Sequence, residues 1–331
     1  MRYIVYGAGA IGGSIGARLF IRGQDVVLIC RGRHLENIRR DGLDFRTPAE
    51  SVKLPVPTVG HPSEIQFRGE DIVFLTMKSQ DTAAALEDLQ AAAGDVPVIC
   101  AQNGVANENM ALRLFSRVYA MLVVVPATYV EPGQVLLHAS PVGGVLDAGC
   151  YPKGVDALIE QVTAVLTDSG FSARPDPQVM RLKYGKLLMN LANAVQALCG
   201  RDSSSEDIIR AARAEAVACY QAAGIDFATP KDIWQRAADV TQGEIEGHPH
   251  QGGSSWQSLA RGSHSIEVDF LNGEITLLGS LYGIATPYNR MLQRMAKEAA
   301  REARPAGSFS VDILMSKARE LEGTVEGPTA L

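Results

Sequence analysis

The chain has 331 residues, of which 46% are hydrophobic, 21% charged and 6% aromatic. That is long enough for two domains and apolar enough for a sizeable core, which excludes a disordered chain. The 31 lysines and arginines against 37 acids leave a net charge of −6, which argues against a nucleic-acid-binding surface.

Met1 and Arg2 lead straight into Tyr3–Tyr6 and a glycine cluster, without the apolar run and cleavage site of an export signal. No stretch reaches the roughly 18 apolar residues of a membrane span; the most apolar, Ala120–Ala127, is interrupted by Pro126. Five scattered cysteines (Cys30, Cys100, Cys150, Cys199, Cys219) form no CxxC pair and read as reduced thiols, so the expected location is the cytoplasm.

In chain order, the pattern predicts a strand at Arg2–Tyr6, a helix at Ala10–Arg22 and strands at Asp25–Cys30, Asp71–Leu75 and Val96–Cys100, with a helix at Thr82–Ala93. Continuous apolar strands alternating with helices imply a parallel sheet covered on both faces. From Val118 the signals shorten: strands are expected at Tyr119–Tyr129, Gln134–His138 and Gly144–Asp147, then a helix at Val155–Leu166. Arg174-Pro175-Asp176-Pro177 reads as a domain boundary. Beyond it the expectation is helical: Gln178–Leu198, Ser205–Ala223, Lys231–Thr241, Ile266–Tyr282 and Tyr288–Ala303, with a polar loop at Gln242–Ser255. The division is therefore residues 1–176, α/β, and 177–322, all-helical, with 323–331 as a frayed tail.

Gly7-Ala8-Gly9-Ala10-Ile11-Gly12 fits G-x-G-x-x-G between a predicted strand and a predicted helix, the setting of a Rossmann-type dinucleotide site. Gly7 suits the tight turn, Gly9 the approach of a pyrophosphate and Gly12 close helix–strand packing. Arg31 follows the second strand, and no acid lies between Val26 and Leu35. An acid there would bind a ribose 2′-hydroxyl, whereas an arginine accommodates a 2′-phosphate, so NADPH is favoured over NADH. Arg33 adds a second cation.

Three polar features each admit a chemical and a bland reading. Gln102-Asn103-Gly104 follows a strand end, where open α/β sheets bind ligands, but Asn-Gly is also a common turn. In the apolar helix around Leu182–Leu198, Lys186, Asn190 and Asn193 fall within about 60° of arc at 100° per residue. A lysine on such a stripe either faces a cleft, where burial suits it to general-acid work, or snorkels at an edge. Glu267-Val268-Asp269 either belongs to a site or caps the helix it begins. His248-Pro249-His250 lacks a third ligand, so no metal is expected.

Taken together these blocks resemble the ketopantoate reductases (2-dehydropantoate 2-reductases). The resemblance runs from GAGAIGG and Arg31 through Thr76-Met77-Lys78-Ser79-Gln80, Gln102-Asn103-Gly104 and Lys186-Leu187-Leu188-Met189-Asn190. It ends with Ser254-Ser255 and Glu267-Val268-Asp269-Phe270-Leu271-Asn272-Gly273. It implies a Rossmann domain followed by a helical one, an active site in the cleft between, and NADPH-dependent reduction of 2-dehydropantoate in pantothenate and coenzyme A biosynthesis. By resemblance Lys186 is the general acid. Asn103 and Asn190, with Asn193, hold substrate and nicotinamide, and Ser255 contacts the substrate carboxylate. Glu267 orients the reacting groups or touches the cofactor, and Lys78 lies near it. A homodimer through the helical domain fits the resemblance but is written nowhere in the residues.

This chain also departs from the family pattern. Ala194 stands where a second asparagine often lies, Gly252 where a substrate-contacting asparagine can lie, and Trp256 and Leu259 where Met and Asp are commoner. The alternatives are a reductase of another 2-oxo acid, an opine-type dehydrogenase and, from a different class, a non-catalytic NADP(H)-binding sensor.

Overall fold

The computed structural model describes residues 1–129, 131–200, 205–248 and 252–322. In chain order its elements are β1 (Arg2–Tyr6), α1 (Ala10–Ile21), β2 (Asp25–Ile29), α2 (Gly32–Asp41), β3 (Leu43–Arg46), β4 (Ser51–Leu54), β5 (Thr58–Val59), β6 (Asp71–Leu75) and α3 (Thr82–Ala93). Then come β7 (Val98–Cys100), α4 (Asn107–Leu112), β8 (Val118–Met121), β9 (Ala127–Thr128), β10 (Gln134–Leu137), β11 (Ala148–Cys150) and α5 (Ala157–Asp168). The remainder is helical: α6 (Val179–Asn190), α7 (Ala192–Cys199), α8 (Glu206–Ala222), α9 (Pro230–Arg236), α10 (Ser254–Ala260), α11 (Asn272–Tyr282), α12 (Pro287–Arg301) and α13 (Val311–Glu322).

Seven strands form the main sheet in the order β11-β8-β7-β6-β1-β2-β5, parallel throughout except for β11. The all-apolar strands explain it. Side chains alternate across a strand, so a run without polar residues must be covered on both sides. Tyr3 and Val5 enter one core and Ile4 the other; Ile72 and Phe74 part from Val73 and Leu75 in the same way. This is the α/β fold expected, with a Rossmann-type N-terminal half and a helical C-terminal region.

A second sheet, β4-β3-β10-β9, was not expected. β10 falls within the expected strand Gln134–His138, but β3 and β4, four residues each, are too short for periodicity to register. The expected strand Tyr119–Tyr129 is broken: β8 stops at Met121, and Ala127–Thr128 joins the second sheet just after Pro126, which has no N–H to give a ladder. Gly144–Asp147 is no strand; Val145 bridges singly to Val124 and to Ser172, and pairing resumes at β11.

The expected helix Gln178–Leu198 is two, broken at Leu191. Side chains capture carbonyls on either side of the break: Arg213 Nε donates to Leu188 O at 3.0 Å and Asn272 Nδ2 to Leu191 O at 3.4 Å. Inserted donors of this kind interrupt a helical ladder. Asn272 is itself held by Asn289, which bonds Glu215 and Ala212 O. Glu267–Phe270 is a separate 3-10 turn ahead of α11, and Ser254 and Ser255 open α10 rather than closing a loop.

The chain divides into two compact units: Met1–Lys183 with Lys231–His250, and Tyr184–Pro230 with Gln251–Leu331. The division thus falls inside α6 rather than at Arg174–Pro177, and a later segment returns to the first unit. Backbone pairing of Gln242 with Ala139 and the side chain of Arg236 both hold that return. The guanidinium forms a bidentate pair with Asp147, 2.6 Å at each oxygen, and bonds the Ser172 hydroxyl at 2.9 Å. The second unit has its own core, built on Val195, Leu198, Ile208, Leu292 and Leu314. Among the described residues no helix is long and apolar enough to cross a membrane. The expected tail 323–331 and His250 lie outside the described residues.

Candidate active site

Strand order assembles the first half of the site. β7, β6, β1 and β2 are parallel neighbours, so the segments leaving their carboxyl ends emerge side by side. Those segments carry Asn103, Lys78, Gly7–Gly12 and Arg31 respectively. Four expected site segments, spread over a hundred residues of sequence, share one edge.

The glycines behave as their spacing predicts. Gly7 has φ +104°, and a Cβ there would lie 2.6 Å from Met77 N. A Cβ on Gly12 would collide with Thr76 Oγ1 and Gly7 O. Gly9 is the exception, with nothing within 4 Å of where its Cβ would stand, at the mouth of α1. Open space ahead of the unpaired amides of a helix start is what a pyrophosphate needs, so the turn fits a dinucleotide. Ala8, Ala10 and Ile11 complete the turn; Ala8 N donates to Ile29 O at 3.2 Å. The Arg31 side chain is 78% exposed, with Asp81 at 3.9 Å as a weak surface partner.

Several residues that hold this edge together escape notice in the sequence. His34 is buried, its Nε2 2.7 Å from Ala8 O and its Nδ1 accepting from Gly133 N at 2.8 Å. An accepting Nδ1 carries no proton, so Nε2–H donates to Ala8, and desolvation holds the ring's pKa below its usual value. Gln102 Nε2 reaches Met77 O at 2.9 Å and Thr82 Oγ1 at 2.8 Å. Asn107 Nδ2 reaches Ser79 Oγ at 3.0 Å and Asn103 O at 3.1 Å. This network ties the Lys78 segment to the Asn103 segment. Lys183, buried and ion-paired to Glu108, is a second lysine of α6 that an apolar helix pattern does not flag.

The second unit, taken by itself, carries the other candidates. Lys186 and Asn190 lie on α6, Asn193 on α7 and Ser255 on α10. Burial lowers the Lys186 ammonium from its ordinary 10.5 to about 8. Asn190, Ser255 and Glu267 are buried. Asn193 Nδ2 lies 3.4 Å from Ser254 Oγ, so the Asn193 and Ser254-Ser255 blocks meet. Ala194 points into the core instead. Asp269 pairs with Lys297 at 2.8 Å and accepts from Gln293 at 2.7 Å.

The departures at Gly252 and Trp256 prove to be one feature. Gly252 has φ +58°, and a Cβ there would lie 2.5 Å from Trp256 Cδ2. The indole occupies the space a residue-252 side chain would need.

A glycine-rich helix start on a parallel sheet, followed in the chain by a helical unit with a desolvated lysine, defines a dinucleotide-dependent oxidoreductase of the Rossmann type. The ketopantoate reductase PanE/ApbA family model matches residues 3–152, and its C-terminal counterpart matches residues 178–300. The chain belongs to the ketopantoate reductase family, oxidoreductases acting on a CH–OH group. A 2-dehydropantoate 2-reductase of Pyrococcus horikoshii is 29% identical over 317 residues, spanning 93% of this chain and 100% of its own. One from Halobacterium salinarum is also 29% identical, spanning 91% and 100%. The crystal structure of a PanE/ApbA family ketopantoate reductase from Ralstonia eutropha matches with TM-score 0.77 at 28% identity, covering 92% of this chain and 100% of that one. D-mandelate dehydrogenase, solved with NADH and anilino(oxo)acetate, shares the fold with TM-score 0.78 at 24% identity, covering 92% and 99%.

Proposed function

We propose that the chain reduces a 2-oxo acid to the 2-hydroxy acid with NADPH, and that 2-dehydropantoate, giving pantoate, is its first candidate substrate. The observation that carries this reading is Lys186, whose ammonium burial lowers to about 8 in a chain of this family. NADPH, when bound, supplies the hydride. Gly7–Gly12 hold the pyrophosphate on backbone amides, and Arg31 pairs with the 2′-phosphate. Lys78 would contact the cofactor, and Glu267 would orient the reacting groups or contact the cofactor. Asn103, Asn190 and Asn193 position substrate and nicotinamide, and Ser255 donates to the substrate carboxylate.

As the carbonyl carbon gains hydride, negative charge collects on its oxygen. Lys186 stabilises that charge and gives up a proton to it, leaving a neutral amine that recovers its proton from water. An ammonium near 8 is mostly protonated at neutral pH yet gives up its proton more readily than an ordinary lysine.

The coupled Gly252–Trp256 change favours a second reading, a 2-oxo acid other than 2-dehydropantoate. A panel of 2-oxo acids, with and without added amine, followed by NADPH oxidation, separates the readings. Preferred turnover of 2-dehydropantoate supports the first reading, and preference for another acid supports the second. An absolute amine requirement points to opine-type chemistry. Binding without turnover of any carbonyl would leave only a sensor.

A further inference from the structure

The ammonium of Lys183 is buried among three oxygens. It donates to Gln102 O at 3.0 Å and to Cys100 O at 3.4 Å, and it forms an ion pair with Glu108 Oε1 at 2.5 Å, a carboxylate that accepts no hydrogen bond among the described residues. Both side chains of the ion pair are buried, at 2% and 0% exposure. A buried pair costs several kcal/mol in desolvation and is often no more stabilising than apolar residues of the same size. Stability alone is therefore a poor reason for this one.

Its placement suggests another reason. Gln102 O belongs to the peptide that ends in Asn103 N–H. In a trans peptide those two groups point in opposite directions, so drawing the carbonyl onto Lys183 turns the Asn103 N–H away from it. The next carbonyl, Asn103 O, accepts from Asn107 Nδ2 at 3.1 Å. Glu108 is the residue after Asn107 on α4, so the pair also fixes the helix that supplies this second clamp. Both peptides flanking Asn103 are held from below.

We infer that the Lys183–Glu108 pair is a positioning element that sets the backbone of Asn103, and through it the placement of substrate and nicotinamide. Neither residue touches the reacting groups. The catalytic half of this inference rests on the proposed reduction; the backbone half does not.

The test uses the full chain and the double variant Lys183→Met/Glu108→Leu, which removes both charges together and leaves no orphaned ion. It is expected to fold, with amide exchange across residues 102–107 faster by about 10-fold or more. Turnover is expected to fall about 10–100-fold, while the NADPH dissociation constant, read by cofactor fluorescence and set mainly by the phosphates, moves less than about 3-fold. Added to Asn103→Ala, the double change should cost little further, because both act through one residue. Unchanged exchange, or losses that simply add to those of Asn103→Ala, would overturn the inference. If the double variant does not fold, Lys183→Arg keeps Glu108 paired while changing donor geometry, and smaller shifts in the same directions are expected. If the unaltered chain reduces no 2-oxo acid, the proposed reaction fails, and amide exchange alone decides the positioning role.

Discussion

Two cations, Lys186 and Arg31, carry the proposed chemistry at the level of single residues. Lys186 in the folded chain holds its proton up to about pH 8, against about 10.5 in the unfolded chain. Reduction needs the ammonium, so turnover is expected to fall as pH rises through about 8, and the reverse oxidation, which needs the amine, to rise there. Between 8 and 10.5 the unfolded chain binds more protons, so stability climbs with pH across that window, and the cost of burying the charge is fully present below 8. Lys186→Met should therefore remove turnover yet raise stability at neutral pH by about 1–3 kcal/mol, measured by urea unfolding. A variant that loses both activity and stability would show that Lys186 is a packing residue. Arg31 makes a simpler case. With its side chain in solvent, Arg31→Ala should leave folding untouched and weaken NADPH about 10-fold or more with little change for NADH. An unchanged preference in paired binding measurements would take Arg31 out of the site. The places of both cations, after β2 and on α6, could be read from the sequence, because position after a strand and position on a stripe are local properties. Lys183 and His34 could not: their partners, Glu108 and Ala8 with Gly133, are met only in the fold.

At the scale of elements, long apolar runs declared themselves and short ones did not. β1, β6 and α3 have the bounds the pattern predicts, because each buries every residue or one clear face. β3 and β4 are too short for a period of two to show, whereas β10 lies where a strand is expected, and α6 and α7 read as one helix because the donors that part them, Arg213 and Asn272, are distant in sequence. α10 was hidden inside a glycine-rich stretch, and its first turn carries the substitution of most consequence. With the indole of Trp256 on Gly252, Gly252→Asn alone should destabilise the chain by about 1–3 kcal/mol through overpacking. Asparagine tolerates a left-handed backbone, so Gly252→Asn/Trp256→Met should recover most of that loss. The double variant is also expected to shift kcat/KM toward 2-dehydropantoate against less polar 2-oxo acids. Thermal unfolding and the substrate panel check the two halves; an additive pair of effects would show that the indole does not fill that space in solution.

At the scale of the whole molecule, fold class and family were legible because ordered, spaced blocks survive where single motifs do not. The partition into units was less so. The segment Lys231–Thr241 reads as more helix and Gln242 onward as a loop, and it is partners distant in sequence that tie them to the first unit: the Arg236–Asp147 pair, 14% and 3% exposed, and the bridge between Ala139 and Gln242. Arg236→Met leaves Asp147 buried without its cation and should cost about 3–5 kcal/mol by urea unfolding; Arg236→Met/Asp147→Leu should restore much of it. A loss below about 1 kcal/mol for the single change would mean that the returning segment is held by something else. The proposed reaction is reduction of a 2-oxo acid with Lys186 as the general acid. Its most direct test is NADPH oxidation by the full chain and by Lys186→Ala across a panel of 2-oxo acids that includes 2-dehydropantoate. Rapid turnover of at least one of them is expected, with a loss of about 10²–10⁴-fold in the variant and NADPH binding retained. Equal rates for the two proteins, or no oxidation with any acid in the panel, would contradict it.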